Sequence, residues 1–267
     1  MELDTEFRYP NVIDFFGTTL FHLCHFTTID LHNYAAYNKY AENNIAKSNK
    51  RICEEIEQRI KESDKKYHED IIDSYHQEMQ EMQEMQEMQE FGDIYPPMHR
   101  KSMVITLYNF CEHQIKTLCL EINKLLPEDM SIKYKLKDDI CIKKYRKFLR
   151  REAGFDIHPS AELWNLWENM LKVEQIRHVL VHSEGEIEKH RAERLADIKS
   201  YCNRKENIRL NKHKIIIDEG YVAGLITELI SLFELLDRQV NLFIRRYESK
   251  HGSYEVPLPQ EASRTAL

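Results

Sequence analysis

Arg177 and His182 lie five residues apart in the stretch Ile176-Arg177-His178-Val179-Leu180-Val181-His182-Ser183-Glu184-Gly185. An arginine is a permanent cation whose fork can hold two phosphate oxygens. A histidine, with an unperturbed pKa of about 6.5, exchanges a proton near neutral pH without special tuning. Together they are a minimal kit for cleaving a phosphodiester beside a ribose hydroxyl. With 16 arginines and 13 histidines in the chain, about one such spacing arises by chance. Arg246 and His251 in fact share it, where the last helix gives way to a polar tail. Context separates the two pairs. The first has Trp164 and Trp167 upstream, Val179, Leu180 and Val181 to pin it to a core, and Gly185 as a helix stop.

Arg177, a polar His178 and His182 resemble the motif of the HEPN superfamily, whose ribonuclease members carry an arginine, a polar residue and a histidine four to six residues after the arginine. Asparagine is the commoner second residue there. A second resemblance lies upstream, in Tyr95-Pro96-Pro97-Met98-His99-Arg100-Lys101-Ser102 and Leu107-Tyr108-Asn109-Phe110-Cys111-Glu112. It is similar to the helix that brings an acidic side chain toward the catalytic arginine. The resemblance spans about residues 95–248.

The resemblance implies an all-α, HEPN-like helical bundle and a metal-independent endoribonuclease that needs no cofactor. The ribose 2′-hydroxyl attacks the adjacent phosphorus and leaves a cyclic phosphate. His182 acts as general base or acid, and Arg177 steadies the charge developing on the phosphorane. One histidine cannot readily serve nucleophile and leaving group at once. Family members dimerise so that two Arg–His sets face one cleft, and a homodimer is expected here. Glu112 is expected to orient Arg177, and His178 to assist catalysis or position the RNA. The setting implied is prokaryotic antiphage defence or a toxin system. Toxins silenced by nucleotide transfer carry tyrosine two residues after the histidine; Glu184 stands there, so that silencing is not expected. Two other readings stay open. The fold could serve as a non-cleaving RNA- or protein-binding module. Alternatively, an unrelated helical scaffold could pair Arg177 with Glu174 or Glu184 and use His182 as a helix cap.

The elements that must position these residues follow from composition. At 267 residues the chain can bury a proper core, in one large domain or two small ones. Seven glycines, seven prolines and 31% charged residues favour long helices. No run of eighteen apolar residues is present, and Met1-Glu2-Leu3-Asp4 is unlike a secretory signal. The six cysteines show no zinc-ligand spacing and read as reduced thiols of a cytoplasmic protein. His22, Cys24 and His25 lack a further ligand and read as core or interface residues, and no metal site is expected.

The net charge of −7 hides a segregation. Residues 132–151 hold nine Lys or Arg against two Asp, and residues 189–214 hold nine against three acids. Local charge decides phosphate binding. Arg100, Lys143, Lys144, Arg146, Lys147, Arg150 and Arg151 are therefore the expected RNA contacts.

In chain order, residues 1–94 read as an N-terminal helical region available to a second subunit or a protein partner. Apolar spacing predicts a helix over 11–33, continuing to 63 as a polar helix with a thin stripe (Ile45, Ile52, Ile56, Ile60), then a further helix to about 90. That helix ends in four copies of Glu-Met-Gln over 78–89. Its methionines drift by about 60° per copy and cannot form a straight seam. Gly92, Pro96 and Pro97 predict a boundary over 91–98. Helices follow over 100–124 and, strongly basic, over 135–151. Ser160 is the candidate N-cap of the motif helix. A basic helix over 187–204, a short hairpin or extended piece over 208–217 and a central hydrophobic helix over 219–247 complete the HEPN-like domain, 95–248. The tail, 249–267, is expected to be disordered.

Overall fold

The computed structural model describes residues 12–63, 82–83, 85–126, 142–187 and 192–254. The expected helix over 64–81, the first half of the basic segment (127–141) and the end of the tail (255–267) lie outside the described residues. The fold is all-α with one short hairpin, as the periodicities predict. Its elements are α1 (Thr19–Ser63), α2 (Tyr95–Asn123), α3 (Ile142–Arg151), α4 (Glu162–Ser183), α5 (Ala192–Cys202), β1 (Ile208–Asn211), β2 (Lys214–Ile217) and α6 (Tyr221–His251).

Helices α1, α2, α4 and α6 form a four-helix bundle in which each packs on two neighbours in the cyclic order α1-α2-α4-α6. Neighbours run antiparallel. Tyr34 meets Phe110 while Glu42 meets Arg100, and Asn109 meets Arg177 while Lys101 meets Glu184. Helix α6 is central, as its composition demands. Its buried Val222, Leu225, Ile226, Leu229, Leu232, Phe233 and Leu236 recur at three- and four-residue spacing. Its start is fixed by Gly220, at φ 92°, where an added Cβ would lie 2.8 Å from the Asn207 amide. Residues Phe15, Leu20, Leu23, Cys24 and Leu31, from the chain's first helical stretch, lie in the same core as α2, α4 and α6.

Helix α1 is one uninterrupted rod of 45 residues, about 68 Å long at 1.5 Å per residue. Among the described side chains of its second half only Ile52 is buried, and the helix packs on residues 90–94. The expected boundary at 91–98 is not a break. Residues 85–89 are helical, Glu90–Ile94 form a π turn, and α2 continues directly with Pro96 and Pro97 in its first turn. The wider turn places the missing proline N–H groups where the hydrogen-bond register changes anyway, so the helix survives them.

The hairpin pairs Ile208 with Ile217 and Asn211 with Lys214, burying Ile208, Ile215 and Ile217. It also receives the chain leaving α4. Ile215 donates its N–H to the Gly185 carbonyl at 2.9 Å, and Ile187 to that of His213 at 2.8 Å. Among the described residues no helix is long and apolar enough to cross a membrane. Cys24, Cys111, Cys119 and Cys202 are buried free thiols, and Cys53 is an exposed one.

Candidate functional site

Helix α4 carries Glu174, Arg177, His178, Val181 and His182 on one side, because steps of three and four residues return to the same face. The opposite side (Val173, Ile176, Val179, Leu180) is buried and anchors it. Ser160 does not cap this helix; its hydroxyl hydrogen-bonds the His158 ring at 2.7 Å, and Ala161 occupies the N-cap position. At the other end, the N–H groups of Glu184 and Gly185 both return to the Val179 carbonyl. Glu184 (φ 51°) and Gly185 (φ 94°) turn the chain off the helix through left-handed backbone. Lys101 of α2 clamps that turn, donating to the Glu184 carbonyl at 3.1 Å. His182 is thus an exposed ring on a tethered last turn.

Arg177 donates its Nε–H to the Asn109 side-chain oxygen at 3.1 Å, and its guanidinium sits 5.9 Å from the centre of the Tyr108 ring. Among the described residues the two terminal amino groups of Arg177 have no hydrogen-bond partner. The fork is steered from its inner nitrogen and open at its outer ones, the pose suited to an anion. Neither Glu174 nor Glu184 forms a salt bridge with it among the described residues. The His178 and His182 rings pack against each other, with centroids 4.5 Å apart.

Glu112 does not hold Arg177. Its carboxylate accepts from the Tyr108 hydroxyl at 3.2 Å, because position 112 lies one helical turn past 108 and shares its face. Asn109, and not Glu112, makes the side-chain contact to Arg177 among the described residues. The sequence offered one signal for this: Asn109 is a polar, exposed position amid buried Leu107, Tyr108 and Cys111. Glu174 of α4 lies close enough to Tyr108 and Glu112 for all three groups to influence one another electrostatically. Burial lifts the Glu174 carboxyl above the usual glutamate range. Tyr108, Lys143 and Arg177 pull it down, and Glu112 pushes it further up. Burial likewise raises Tyr108, helped by both carboxylates.

The expected RNA contacts divide. Arg100 grips Glu42 of α1 through two hydrogen bonds of 2.8 Å and is largely buried, so it ties the bundle instead of facing solvent. Arg146 is held by Glu168 at 2.5 Å and stacks 4.2 Å over Trp164. Lys143, Lys144, Lys147, Arg150 and Arg151 are exposed on α3. The alternative pair is resolved too: Arg246 is tied to the carbonyls of Ala153 and Gly154, both at 3.0 Å, and is not open to a phosphate as Arg177 is. His22 bonds the Phe16 carbonyl and sits among Phe16, Phe21 and Phe26. Among the described residues no three His, Cys, Asp or Glu side chains group as metal ligands. Comparison of the chain with family models, curated proteins and solved structures gives no match.

Proposed function

We propose that the chain is a HEPN-type, metal-independent endoribonuclease. It cleaves RNA by 2′-hydroxyl attack at a composite site of two subunits, in the cytoplasm of a prokaryote, in antiphage defence or a toxin system. The observation that carries this reading is the pose of Arg177. Its Nε is fixed by Asn109 and its outer nitrogens are open, about 1.4 helical turns from the exposed His182. Arg177 would bind the scissile phosphate and stabilise the phosphorane. His182 would move the proton at the 2′-oxygen or at the leaving 5′-oxygen. His178, in contact with His182, would position that ring. A second subunit would supply the complementary imidazole.

The test uses the purified full chain and single-stranded RNA in excess EDTA. Cleavage to cyclic phosphate ends is expected, with a specific rate that rises with protein concentration as dimers form. His182→Ala should lower the rate by about 10²–10⁴-fold, the usual contribution of a general acid or base, and leave RNA affinity intact. Cleavage that survives in His182→Ala refutes the reading.

A second reading, a non-cleaving RNA- or protein-binding module, is favoured by one observation. Two carboxyl groups, Glu112 on the Tyr108 hydroxyl and Glu174 on α4, lie beside Arg177 and, where ionised, reduce the positive potential a phosphate would meet. RNA binding without cleavage, unaffected by His182→Ala, would select it.

A further inference from the structure

Helix α3 runs antiparallel to the first half of α4. The Trp167 indole donates to the Ile142 carbonyl at 3.3 Å, Arg146 reaches back to Glu168 and Trp164, and Lys143 lies within electrostatic reach of Glu174. The N-terminal end of α3 is therefore the end nearer Arg177, and its C-terminal end leads away. Ile142, Tyr145, Phe148 and Leu149 face the core. That periodicity forces Lys143, Lys147, Arg150 and Arg151 onto the opposite, exposed face. None of these four forms an ion pair among the described residues, whereas Arg146, at the edge of the stripe, is neutralised by Glu168. A line of cations about 10 Å long, from Lys143 to Arg150 at 1.5 Å per residue and without an ion pair among the described residues, ends beside the Arg177 site, where Lys143 nears Glu174.

We propose that this face of α3 is a track for the sugar-phosphate backbone of single-stranded RNA, holding the nucleotides on one side of the bond cleaved at Arg177. The substrate is therefore a single strand that extends at least two nucleotides from that bond on one flank. The inference rests on the ribonuclease reading of the site and adds to it the substrate's form and the place where it is held. A single line of cations one helix wide matches one backbone. A duplex presents two backbones separated by a groove, and its stacked geometry holds the 2′-hydroxyl away from in-line attack. Long flexible cations without bidentate partners hold phosphates without reading bases, so the track is expected to be indifferent to sequence.

The test compares the parent chain with K147Q/R150Q/R151Q, whose changes lie on exposed positions away from Arg177 and His182. R150K/R151K serves as the charge-preserving control, and circular dichroism monitors helix content. Binding of a labelled twelve-nucleotide single strand is measured against salt in the His182→Ala background, so that cleavage does not interfere. Each phosphate contact on a single strand contributes about 0.7 to the slope of log affinity against log salt. Losing three should flatten the slope by about 2 and weaken binding about 100-fold at 0.1 M salt. In the cleaving background, a dinucleotide should be cut equally by parent and triple variant, and the twelve-nucleotide strand with a raised KM. Unchanged affinity and slope in the triple variant overturn the track. So does equal weakening for a duplex of the same length, or tighter binding of poly-glutamate than of RNA, which would make the face a protein interface. The two readings fail separately. Track-dependent binding with no cleavage removes the nuclease and keeps the track. Cleavage of the long strand indifferent to the triple variant removes the track and keeps the nuclease.

Discussion

Removal of the Asn109 side chain tests what holds the arginine. The 3.1 Å bond from Arg177 Nε is made at an exposed position, so water can replace the lost oxygen. A hydrogen bond to a charged group contributes about 1.5–3 kcal/mol; solvent access here reduces that to about 1 kcal/mol of lost orientation. At 1.36 kcal/mol per tenfold, Asn109→Ala should lower kcat/KM for single-stranded RNA about fivefold. The decisive measurement is a double-mutant cycle. In an Arg177→Ala background, Asn109→Ala should have no further effect, since the guanidinium it holds is gone. A readout independent of turnover is exchange of the Arg177 Nε proton, followed by nitrogen-resolved NMR, which should quicken in Asn109→Ala and not in Glu112→Gln. Equal losses from Asn109→Ala in the presence and absence of Arg177, or an exchange rate set by Glu112, would refute the assignment.

Three further outcomes are expected. The raised Glu174 carboxyl keeps its proton to a higher pH in the folded chain than in the unfolded chain. Stability is thus full below the ordinary glutamate range and falls as pH rises through the folded value. Glu174→Gln should raise the melting temperature more at pH 7 than at pH 4; a gain independent of pH contradicts the assignment. Glu42→Ala strands the largely buried Arg100 and should destabilise the fold by about 3 kcal/mol in chemical denaturation. RNA affinity should stay at the parent level, and tighter binding by the still-folded variant, from a freed guanidinium, would return Arg100 to the RNA surface. Gly185→Ala meets no crowding, its nearest contact being 3.5 Å, but must hold φ 94°. It should cost about 1–2 kcal/mol, with a greater loss of cleavage than of RNA binding because the His182 turn moves; a neutral effect on both would contradict this.

Much of the fold was legible because burial imposes a period. The spacing in α2, α4 and α6 announces each helix, and Ile215, Ile216 and Ile217 announce a strand. The turn over residues 91–98 was not legible as helix. Gly92, Pro96 and Pro97 are breakers in any local rule, and only the packing of residues 90–94 on α1 makes a π turn preferable to a break. Within the site, the face shared by Arg177, His178 and His182 follows from helical spacing alone. The partner of Arg177 does not, because it depends on the rotation of α2 against α4: Asn109 and Glu112, three residues apart, point only about 60° away from each other around α2. For the same reason Arg100 and Arg146 read as surface cations, although tertiary contacts give each a carboxylate.

The π turn also separates two kinds of sequence change. Three residues gained or lost within the helical residues 85–89 that precede it wind that segment by about 300°. Downstream, Pro96 and the first turn of α2 are seated against the bundle, and the wound segment is joined to them at a point where the ladder is already out of step. Tyr108 and Asn109 can therefore keep their address opposite α4 when residues before the π turn are added or removed.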